Sequence, residues 1–489
     1  MRSYYPCEAV RAAEAPLLAS LPEGTLMRRA AHGLATVAAA ELRALTGGVA
    51  GRRVVLLVGT GDNGGDALWA GSFLRRRGCA VTALLLDPER AHPAGLAALK
   101  AAGGRAVPAR PEHLGDPDLV LDGIVGISGR GPLRPAAADI VDAITAPIVA
   151  VDTPSGVDPD TGAVDGPAVS ATVTVAFGAL KPVHALASPR CGRVELVDIG
   201  LELPESRLIA AEAAEVGAIW PVPGPDDDKY SQGVVGVSAG SAKYPGAAVL
   251  CAGAAVAATS GMVRYAGSAS AEVLAHRPEV VAAPSIAEAG RVQAWVVGPG
   301  GGTGTEADET LRAILATDLP VLVDADGLTV LARNRDLVRG RAAPTLLTPH
   351  AGEFARLTGA RPEPDRVTAV RTLAAEWGVH VLLKGHVTLI ARPDGRVFVN
   401  DAGGSWASTA GAGDVLSGTI GALLSSGMPV DLAAAAGARA HALAANLAAS
   451  GGTPGEGLKA ASAAPVSASV ILASLHDAVR LLRTYMPES

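Results

Sequence analysis

The sequence predicts an α/β protein of two domains, and three observations support this prediction. The chain has 489 residues, which is too long for one typical hydrophobic core. Short apolar runs alternate with Ala-rich stretches of helical character, a pattern typical of buried parallel strands joined by helices. Several apolar runs end on an acid or a glycine followed by a turn, and ligands of parallel α/β sheets lie just outside such strand ends.

Strands and turns alternate regularly through the first half of the chain. An apolar run at 52–58 ends in glycine and is followed by a helical stretch up to Arg77. This alternation predicts a doubly wound parallel sheet. Its predicted strands are residues 52–58, 81–86, 118–122, 147–152, 172–177 and 194–199.

A Pro-rich and then acidic stretch at 220–229 separates the halves and indicates a linker. We expect domains at 1–212 and 230–489, joined by a linker at 213–229. The acids at 226–228 indicate a solvated loop rather than a metal site. In the second half, a helix is predicted from about Pro245 and strands at 233–237, 295–297, 321–324, 379–383 and 387–390.

The charge, cysteine content and apolar segments of the chain restrict the classes of function that it can have. The 41 basic and 48 acidic residues are interspersed and give a net charge of −7, which argues against a nucleic-acid partner. The four cysteines are far apart without a C-x-x-C pair, so we expect a reduced, cytoplasmic protein. The first residues lack the apolar core of a secretory signal. Residues 244–263 are nearly uncharged, but their Ala and Gly content favours a buried helix over a membrane span.

The sequence Gly-Thr-Gly-Asp-Asn-Gly-Gly-Asp at 59–66 follows a predicted strand and satisfies G-x-G-x-x-G. Alone, and with Asp87 ending the next strand, it suggests a nicotinamide dehydrogenase. Asp62 and Asp66 lie within this loop, however, where they would repel a pyrophosphate. An acidic, amide-bearing loop is better suited to a cation and to sugar hydroxyls.

Other strand ends supply groups that match this loop. In a doubly wound sheet, Asn63, Asp122 and Ser155 could converge as oxygen ligands of one cation. Mixed hard oxygens of low total charge are compatible with a monovalent ion, although the sequence leaves the ion's identity open.

Four segments in this order resemble the N-terminal epimerase domain of the YjeF family, the NAD(P)H-hydrate repair enzymes. They are the glycine loop, Asp-Gly-Ile-Val-Gly at 122–126, Val-Asp-Thr-Pro-Ser-Gly-Val-Asp at 151–158 and Phe-Gly-Ala-Leu-Lys-Pro at 177–182. Asp62 and Ala67 stand where the family usually has Asn and Gly. The resemblance implies a Rossmann-like domain that binds potassium at Asn63, Asp122 and Ser155. It also implies hydrate contacts at Asp62, Asn63, Gly64, Gly65, Asp66, Gly126, Ile127, Ser128, Gly129, Arg130, Gly131, Pro132 and Asp152.

Epimerisation needs little machinery beyond an acid and a base. To invert the hydroxyl-bearing C6, the ring nitrogen lone pair expels hydroxide and water returns from either face. Asp152 is the best candidate for this proton transfer, and Lys181 is a second. The alternative interpretation of Lys181 is a strand-end lysine that faces water.

Thr-Ala-Gly-Ala-Gly-Asp at 409–414 opens an apolar helix with small residues and one carboxylate. Free backbone amides at a helix start attract phosphate, and glycines let the phosphate approach them. Asp414 would then take the proton from a hydroxyl that attacks phosphorus. The alternative is a Gly-rich helix start with Asp as an ordinary N-terminal acid.

Further segments accompany this motif at 240–247, 298–304, 348–354 and 382–388. Together they resemble the YjeF C-terminal dehydratase domain, which is similar to ribokinase-like kinases. The family usually has Gly-Asn-Pro-Gly-Met-Ala-Thr-Ala-Gly where this chain has residues 403–411. The resemblance implies nucleotide contacts at Lys384, Gly385, His386, Val387, Thr388 and Gly413, and hydrate contacts at Ala247, Gly302, His350 and Asp414.

The expected function is therefore a bifunctional repair enzyme that uses ADP, with magnesium on the phosphates. Its expected partners are NADHX, NADPHX and ADP, with no nucleic acid or membrane, in a homo-oligomer. Two alternatives stay open at this point. One is a vitamin or sugar kinase whose first half only binds nucleotide, and the other is a non-enzymatic binding module fused to the second domain.

Overall fold

The computed structural model describes residues 1–451 and 463–485. It divides into two compact units, one spanning Ser3–Ser206 and one that begins at Arg207 and includes Met1–Arg2. The domain limits expected from the sequence stay a prediction. The segment expected to be a linker contains the helix Ala213–Ile219, and residues 226–228 are exposed.

The N-terminal unit is a doubly wound sheet of seven parallel strands, as the sequence predicted. The strands lie in the order β4-β3-β2-β5-β6-β7-β8. Alternate residues of β2 face opposite sides, so Leu56 packs into the cluster of α2 and α3, while Leu57 packs into the cluster that contains α5. These strands are β2 (Arg53–Val58), β3 (Ala80–Leu85), β4 (Arg105–Pro108), β5 (Leu119–Gly123), β6 (Ile148–Val151), β7 (Val173–Phe177) and β8 (Arg193–Val197). A short strand, β1 (Arg2–Tyr4), precedes them and is not part of this sheet. Helices: α1 (Cys7–Ser20), α2 (Thr25–Thr46), α3 (Asp62–Arg76), α4 (Pro93–Ala101), α5 (Pro135–Asp142), α6 (Val183–Leu186), α7 (Ser188–Cys191), with a 3-10 turn at Pro111–His113.

This topology sets the carboxyl ends of β2, β5 and β6 side by side. In the parallel registers, Leu57 pairs with Asp122, and Asp122 pairs with Ala150. The loop after β2, the loop after β5 and Asp152 after β6 therefore share one edge of the sheet, where ligands of this fold class bind.

The C-terminal unit contains a mixed sheet with helices on both faces. Ten of its strands lie in the order β9-β18-β17-β16-β15-β14-β13-β10-β11-β12. The run from β12 to β16 is parallel, and β17 is antiparallel to both of its neighbours. Strands: β9 (Leu208–Ala210), β10 (Val234–Ser238), β11 (Met262–Ala266), β12 (Val281–Ala283), β13 (Ala294–Val297), β14 (Val321–Val323), β15 (Thr345–Leu347), β16 (His380–Leu383), β17 (Val387–Ala391), β18 (Val397–Asp401). Helices: α8 (Ala213–Ile219), α9 (Pro245–Ala258), α10 (Ser270–His276), α11 (Thr305–Leu315), α12 (Asp326–Leu331), α13 (Ala351–Thr358), α14 (Arg366–Trp377), α15 (Ala412–Ser425), α16 (Val430–Ser450), α17 (Ala468–Ala473), α18 (Leu475–Thr484), with a 3-10 turn at Arg335–Leu337.

The apolar segment at 244–263 forms α9 and the start of β11, and its helix packs inside the core, as expected. A Cβ on Gly418 of α15 would lie 2.0 Å from the Cys251 carbonyl oxygen of α9. Only glycine therefore permits this close helix crossing. Within the described residues, no helix is long and apolar enough to cross a membrane.

Candidate active sites

The glycine-rich segment after β2 is a helix start rather than a loop. Gly61 precedes α3, and α3 begins at Asp62, so residues 62–66 form its first turns. The expectation that Asp62 and Asp66 lie in the loop is therefore wrong. Packing requires glycine at position 59, since a Cβ on Gly59 would lie 1.9 Å from the Ile124 carbonyl oxygen of the loop after β5. Small residues thus hold the ends of β2 and β5 together.

Asp122 is a fully buried carboxylate at the end of β5. It accepts hydrogen bonds from Ser155 N (2.9 Å), Ser155 Oγ (2.7 Å) and Ile124 N (3.3 Å). Burial raises its pKa to about 6, although these donors oppose the shift. All three donors are uncharged, so this anion has no cationic hydrogen-bond partner in the described part of the chain.

Asn63 and Ser155 complete the predicted cation site. A Cβ on Gly126 would lie 2.9 Å from Asn63 Oδ1, which places this amide oxygen against the loop after β5. Ser155 Oγ also accepts from Val125 N at 3.0 Å. A buried carboxylate without a charged partner, beside amide and hydroxyl oxygens, fits a cation with hard-oxygen preference such as potassium.

Asp152 and Lys181 form a buried ion pair. Lys181 Nζ lies 2.5 Å from Asp152 Oδ1 and 2.9 Å from the Phe177 carbonyl oxygen. Lys181 is 1 % exposed, which excludes the interpretation of a lysine facing water. Phe177 N donates to the same Asp152 oxygen at 3.0 Å, so this oxygen has two donors.

His184 holds the backbone on both sides of this ion pair, a role that the sequence did not indicate. Its Nδ1 accepts from Lys181 N at 2.9 Å, so the ring proton lies on Nε2, which is 2.8 Å from the Asp152 carbonyl oxygen. Burial lowers the pKa of His184 to about 4, with the Lys181 charge contributing. Asp152 has a φ of 65°, which costs a non-glycine residue on the order of 1–3 kcal/mol. The neutral imidazole stabilises this strained conformation.

Asp66 lies near this pair but has a different environment. It is 8 % exposed, and its Oδ1 has no hydrogen-bond partner in the described residues. Burial, followed by the charges of Asp152, Asp62 and Glu14, raises its pKa well above the ordinary value, while Lys181 opposes the rise. Burial also raises the pKa of Glu14, with Lys181 opposing. The first helix thus contributes an acid to this site.

The segment at 126–132 forms a tight turn beside α1. Gly129 N donates to the Gly126 carbonyl oxygen at 2.8 Å, and Arg11 donates to the Ile127 carbonyl oxygen at 3.0 Å. Arg130 forms an ion pair with Asp160 at 2.8 Å. The Arg130 guanidinium is therefore already paired with a carboxylate. Backbone groups of this segment are also available to contact a ligand. The remaining members of the predicted segment, Ser128, Gly131 and Pro132, lie within the same turn or at its end.

In the C-terminal unit, α15 begins where the sequence placed it. Gly411, with a φ of 85°, precedes the helix, and Asp414 lies in its first turn. The amides of Ala412 and Asp414 already donate to Thr409 and Gly411 carbonyl oxygens. Within residues 1–451 and 463–485, the amides of Gly411 and Gly413 donate to no other group, so they are available to an anion.

Asp414 lies in an acidic environment. Burial raises its pKa to about 7, helped by the charge of Asp324 and opposed by Lys384. A carboxylate with a pKa near neutrality is suited to proton transfer.

Lys384 is held by carboxylates rather than left free. Its Nζ lies 2.7 Å from Asp324 Oδ1 and 3.7 Å from Glu353 Oε2. The other oxygen of Asp324 accepts from Ser417 Oγ at 2.8 Å. A Cβ on Gly413 would lie 3.5 Å from Lys384 Nζ, so the ammonium borders the start of α15. The two acids and Ser417 were not singled out from the sequence, although Asp324 shows the same strand-end signal as Asp122.

His350 caps α13. Its Nδ1 accepts from the amides of Gly352 and Glu353 at 2.9 and 3.3 Å, so Nε2 carries the proton. The side chain is 57 % exposed, which leaves Nε2–H able to donate to a ligand.

The remaining hydrate positions lie on neighbouring loops. Gly302 N donates to Asp326 Oδ2 at 2.9 Å. A Cβ on Gly300 would lie 2.7 Å from Ala247 Cβ, so the loop after β13 packs directly on the start of α9.

The predicted nucleotide segment at 384–388 is the turn between β16 and β17. Thr388 Oγ1 donates to the Gly385 carbonyl oxygen at 3.2 Å, which closes the turn. His386 Nε2 lies 3.3 Å from Asp401 Oδ1, and Val387 lies in β17. The turn therefore presents Gly385 and His386 next to the Lys384 ammonium.

Two family models match this chain. A model described as NAD(P)H-hydrate dehydratase matches residues 235–464, and one described as YjeF-related protein N-terminus matches residues 23–183. The chain is 66% identical to the bifunctional NAD(P)H-hydrate repair enzyme Nnr of Mycobacterium tuberculosis, covering 89% of this chain and 92% of the relative. It is 60% identical to the enzyme of the same name from Mycobacterium leprae, over 99% of this chain and 100% of the relative. Among solved structures, a ribokinase-like superfamily protein from Enterococcus faecalis V583 aligns with a TM-score of 0.50 and 20% identity, over 57% of this chain and 98% of that one. This last match concerns the fold of the C-terminal unit.

Proposed function

We propose a division of labour between two sites in this chain, which belongs to the family of bifunctional NAD(P)H-hydrate repair enzymes. The N-terminal unit epimerises the R and S forms of NAD(P)H hydrate. The C-terminal unit dehydrates the S form to NADH or NADPH at the expense of ADP. Membership in this family rules out the vitamin kinase and the non-enzymatic binding module as the principal function.

The observation that carries the dehydratase assignment is the position of Asp414 in the first turn of α15, next to the Lys384–Asp324 pair. Asp414 takes the proton from the C6 hydroxyl of the S hydrate, and the hydroxyl oxygen attacks the terminal phosphorus of ADP. The amides of Gly411 and Gly413 stabilise the charge that develops on the phosphoryl oxygens. The ring nitrogen lone pair then expels phosphate from C6, and the resulting cation loses a proton from C5 to solvent, which yields the reduced nicotinamide, AMP and phosphate.

Neighbouring groups position the two substrates of this step. Lys384 and the turn at 385–388 contact the nucleotide, and Gly413 lies against its phosphates. His350, Gly302 and Ala247 contact the hydrate, with His350 donating from Nε2. Asp324 and Glu353 hold the ammonium of Lys384 in place.

Magnesium is expected with ADP on chemical grounds. The described residues contain no group of three or more His, Cys, Asp or Glu side chains that could hold a metal. We expect the phosphates of ADP to supply ligands for this ion. No step in the proposed reaction depends on a protein-bound magnesium.

In the N-terminal unit, Asp152 is the principal group for proton transfer. Lys181 Nζ and Phe177 N orient its carboxylate through hydrogen bonds, and Asp152 accepts a proton from the water that adds to C6. The start of α3 and the turn at 126–132 contact the hydrate. Asn63, Asp122 and Ser155 would hold potassium, whose charge would compensate the buried Asp122 carboxylate.

The function is tested with a mixture of R and S hydrates of NADH, by following the recovery of reduced-nicotinamide absorbance. With ADP we expect the whole mixture to be recovered, because the R form is converted as the S form is consumed. Recovery of only the S fraction at the enzymatic rate would refute the epimerase, and no recovery with ADP or ATP would refute the dehydratase. The homo-oligomer expected from the sequence is tested by measuring the molar mass of the same sample with light scattering.

A further inference from the structure

Asp66 is a buried acid for which hydrate contact alone gives no chemical role. It lies in the second turn of α3 with 8 % of its surface exposed, and its Oδ1 lacks a hydrogen-bond partner within residues 1–451 and 463–485. Leaving a buried polar atom without a hydrogen-bond partner is unfavourable. Such an atom in the hydrate-binding unit indicates a partner that is present only in the working complex.

The charged groups around Asp66 come from several elements. Glu14 lies on α1, Asp62 precedes Asp66 on α3, Asp152 follows β6, and Lys181 follows β7. Lys181 is the cation of this set, and its ammonium is already hydrogen bonded to Asp152 Oδ1 and the Phe177 carbonyl oxygen. Burial and these three negative neighbours raise the pKa of Asp66 well above its ordinary value, against the opposing charge of Lys181.

The two carboxyl groups therefore differ in a way that suits acid and base roles. Asp152 Oδ1 receives two hydrogen bonds, one of them from an ammonium. Asp66 Oδ1 receives none. Neighbouring carboxyl groups whose environments separate their protonation states divide into donor and acceptor.

We propose that Asp66 is a catalytic residue of the epimerase site, donating the proton that allows the C6 hydroxyl to leave. This inference rests on the proposed epimerase function. Asp66 protonates the hydroxyl oxygen, and the C6–O bond breaks as water departs with the bonding pair. The lone pair of the ring nitrogen forms the C6=N double bond of a cationic intermediate.

Water then adds to C6 from the other face and gives its proton to Asp152. The nitrogen regains its lone pair, and the hydrate of opposite configuration is released. One proton has moved from Asp66 to Asp152, and exchange with solvent restores both groups. In the reverse direction the two residues exchange roles.

Asp66→Asn tests the proposal because the amide keeps the side chain's shape but lacks an acidic proton. The substrate is the pure R hydrate of NADH without nucleotide, and the products are separated by chromatography. We expect kcat to fall about 100-fold or more, with KM changed less than about 3-fold because the contacts of the bound hydrate persist. Asp139→Asn on α5 is the matched control, since it removes the same charge from an exposed position.

The pH profile separates proton donation from a structural role. The wild-type and Asp139→Asn rates should fall at high pH as the donor loses its proton, and this alkaline limb should be absent from the residual rate of Asp66→Asn. Asp66→Glu should retain activity with its alkaline limb moved, and it serves as the test if the asparagine variant does not fold. Dehydration of the S hydrate with ADP should be equal in all variants.

Epimerisation by Asp66→Asn within about 3-fold of the Asp139→Asn rate would overturn the proposal, as would an unmoved alkaline limb in active Asp66→Glu. If wild-type and Asp139→Asn proteins dehydrate the S hydrate but do not epimerise the R hydrate, the epimerase function itself fails. The two failures are therefore distinguishable.

Discussion

The Asp324→Asn substitution should change the pH dependence of dehydration. Asp324 supports the raised pKa of Asp414 by its negative charge, and it also holds Lys384, whose positive charge opposes the rise. Asparagine retains an oxygen for Lys384 and a polar contact for Ser417 but removes the charge. The loss of the Asp324 charge and the retention of the nearby Lys384 charge both favour the ionised form of Asp414.

The direction and size follow from the pKa of about 7 for Asp414. A base must be ionised, so kcat/KM should fall as the pH falls through about 7 in the wild-type protein. Burial is the larger cause of the raised pKa of Asp414, and it persists in the variant. We therefore expect the acidic limb of the kcat/KM profile to move to lower pH by about one pH unit. At pH ~6 the ionised fraction would then rise from about one tenth to about one half, a gain of roughly 5-fold.

The assay is dehydration of the S hydrate at saturating ADP between about pH 5 and 9. Asp336→Asn is the control, because it removes a carboxylate whose side chain is 93 % exposed in the same unit. A limb that stays in place, or that moves to higher pH, would refute the assignment of Asp414 as the base under the influence of Asp324.

Substitutions at three further residues test other parts of the sites. Asp414→Asn should still bind ADP in a calorimetric titration but dehydrate the S hydrate about 100-fold or more slowly, and unchanged turnover would exclude Asp414 as the base. Asp122→Ala should slow epimerisation and remove its response to potassium while leaving S-hydrate dehydration intact, and a preserved potassium response would place the ion elsewhere. His184→Ala removes the two hydrogen bonds that orient Asp152 and Lys181, so we expect a lower melting temperature of the N-terminal unit and a lower epimerase kcat. His184→Gln, which can both donate and accept, should restore part of that rate, and equal rates for the two variants would argue against a positioning role.

The sheet-forming parts of the chain could be predicted because buried parallel strands have a simple signature. Residues 52–58 and 118–122 are apolar runs that end on glycine or acid, and the structure has β2 and β5 there. The same signature placed Asp122 and Asp152 at one edge of the sheet. Asp324 shares it and could have been recognised from the end of its strand.

Other features depend on contacts between distant segments. The sequence of residues 59–66 is rich in glycine, which favoured a loop, but the glycines allow α3 to start at Asp62 against the loop after β5. No local sequence motif marks Glu14 on α1 or His184 on α6. Only the packing of the unit brings these residues to the Asp152–Lys181 pair. The pairing of Lys384 with Asp324 likewise joins strand ends that are 60 positions apart in sequence.

The most direct measurement traces the oxygen that leaves C6. S hydrate of NADH carrying ¹⁸O in its C6 hydroxyl is dehydrated with ADP, and the phosphate and water are analysed by mass spectrometry. If Asp414 activates the hydroxyl to attack phosphorus, the C6–O bond breaks after the O–P bond has formed, and the label appears in inorganic phosphate. Unlabelled phosphate, with ¹⁸O in water, would contradict phosphorylation of the hydroxyl as the step that drives dehydration.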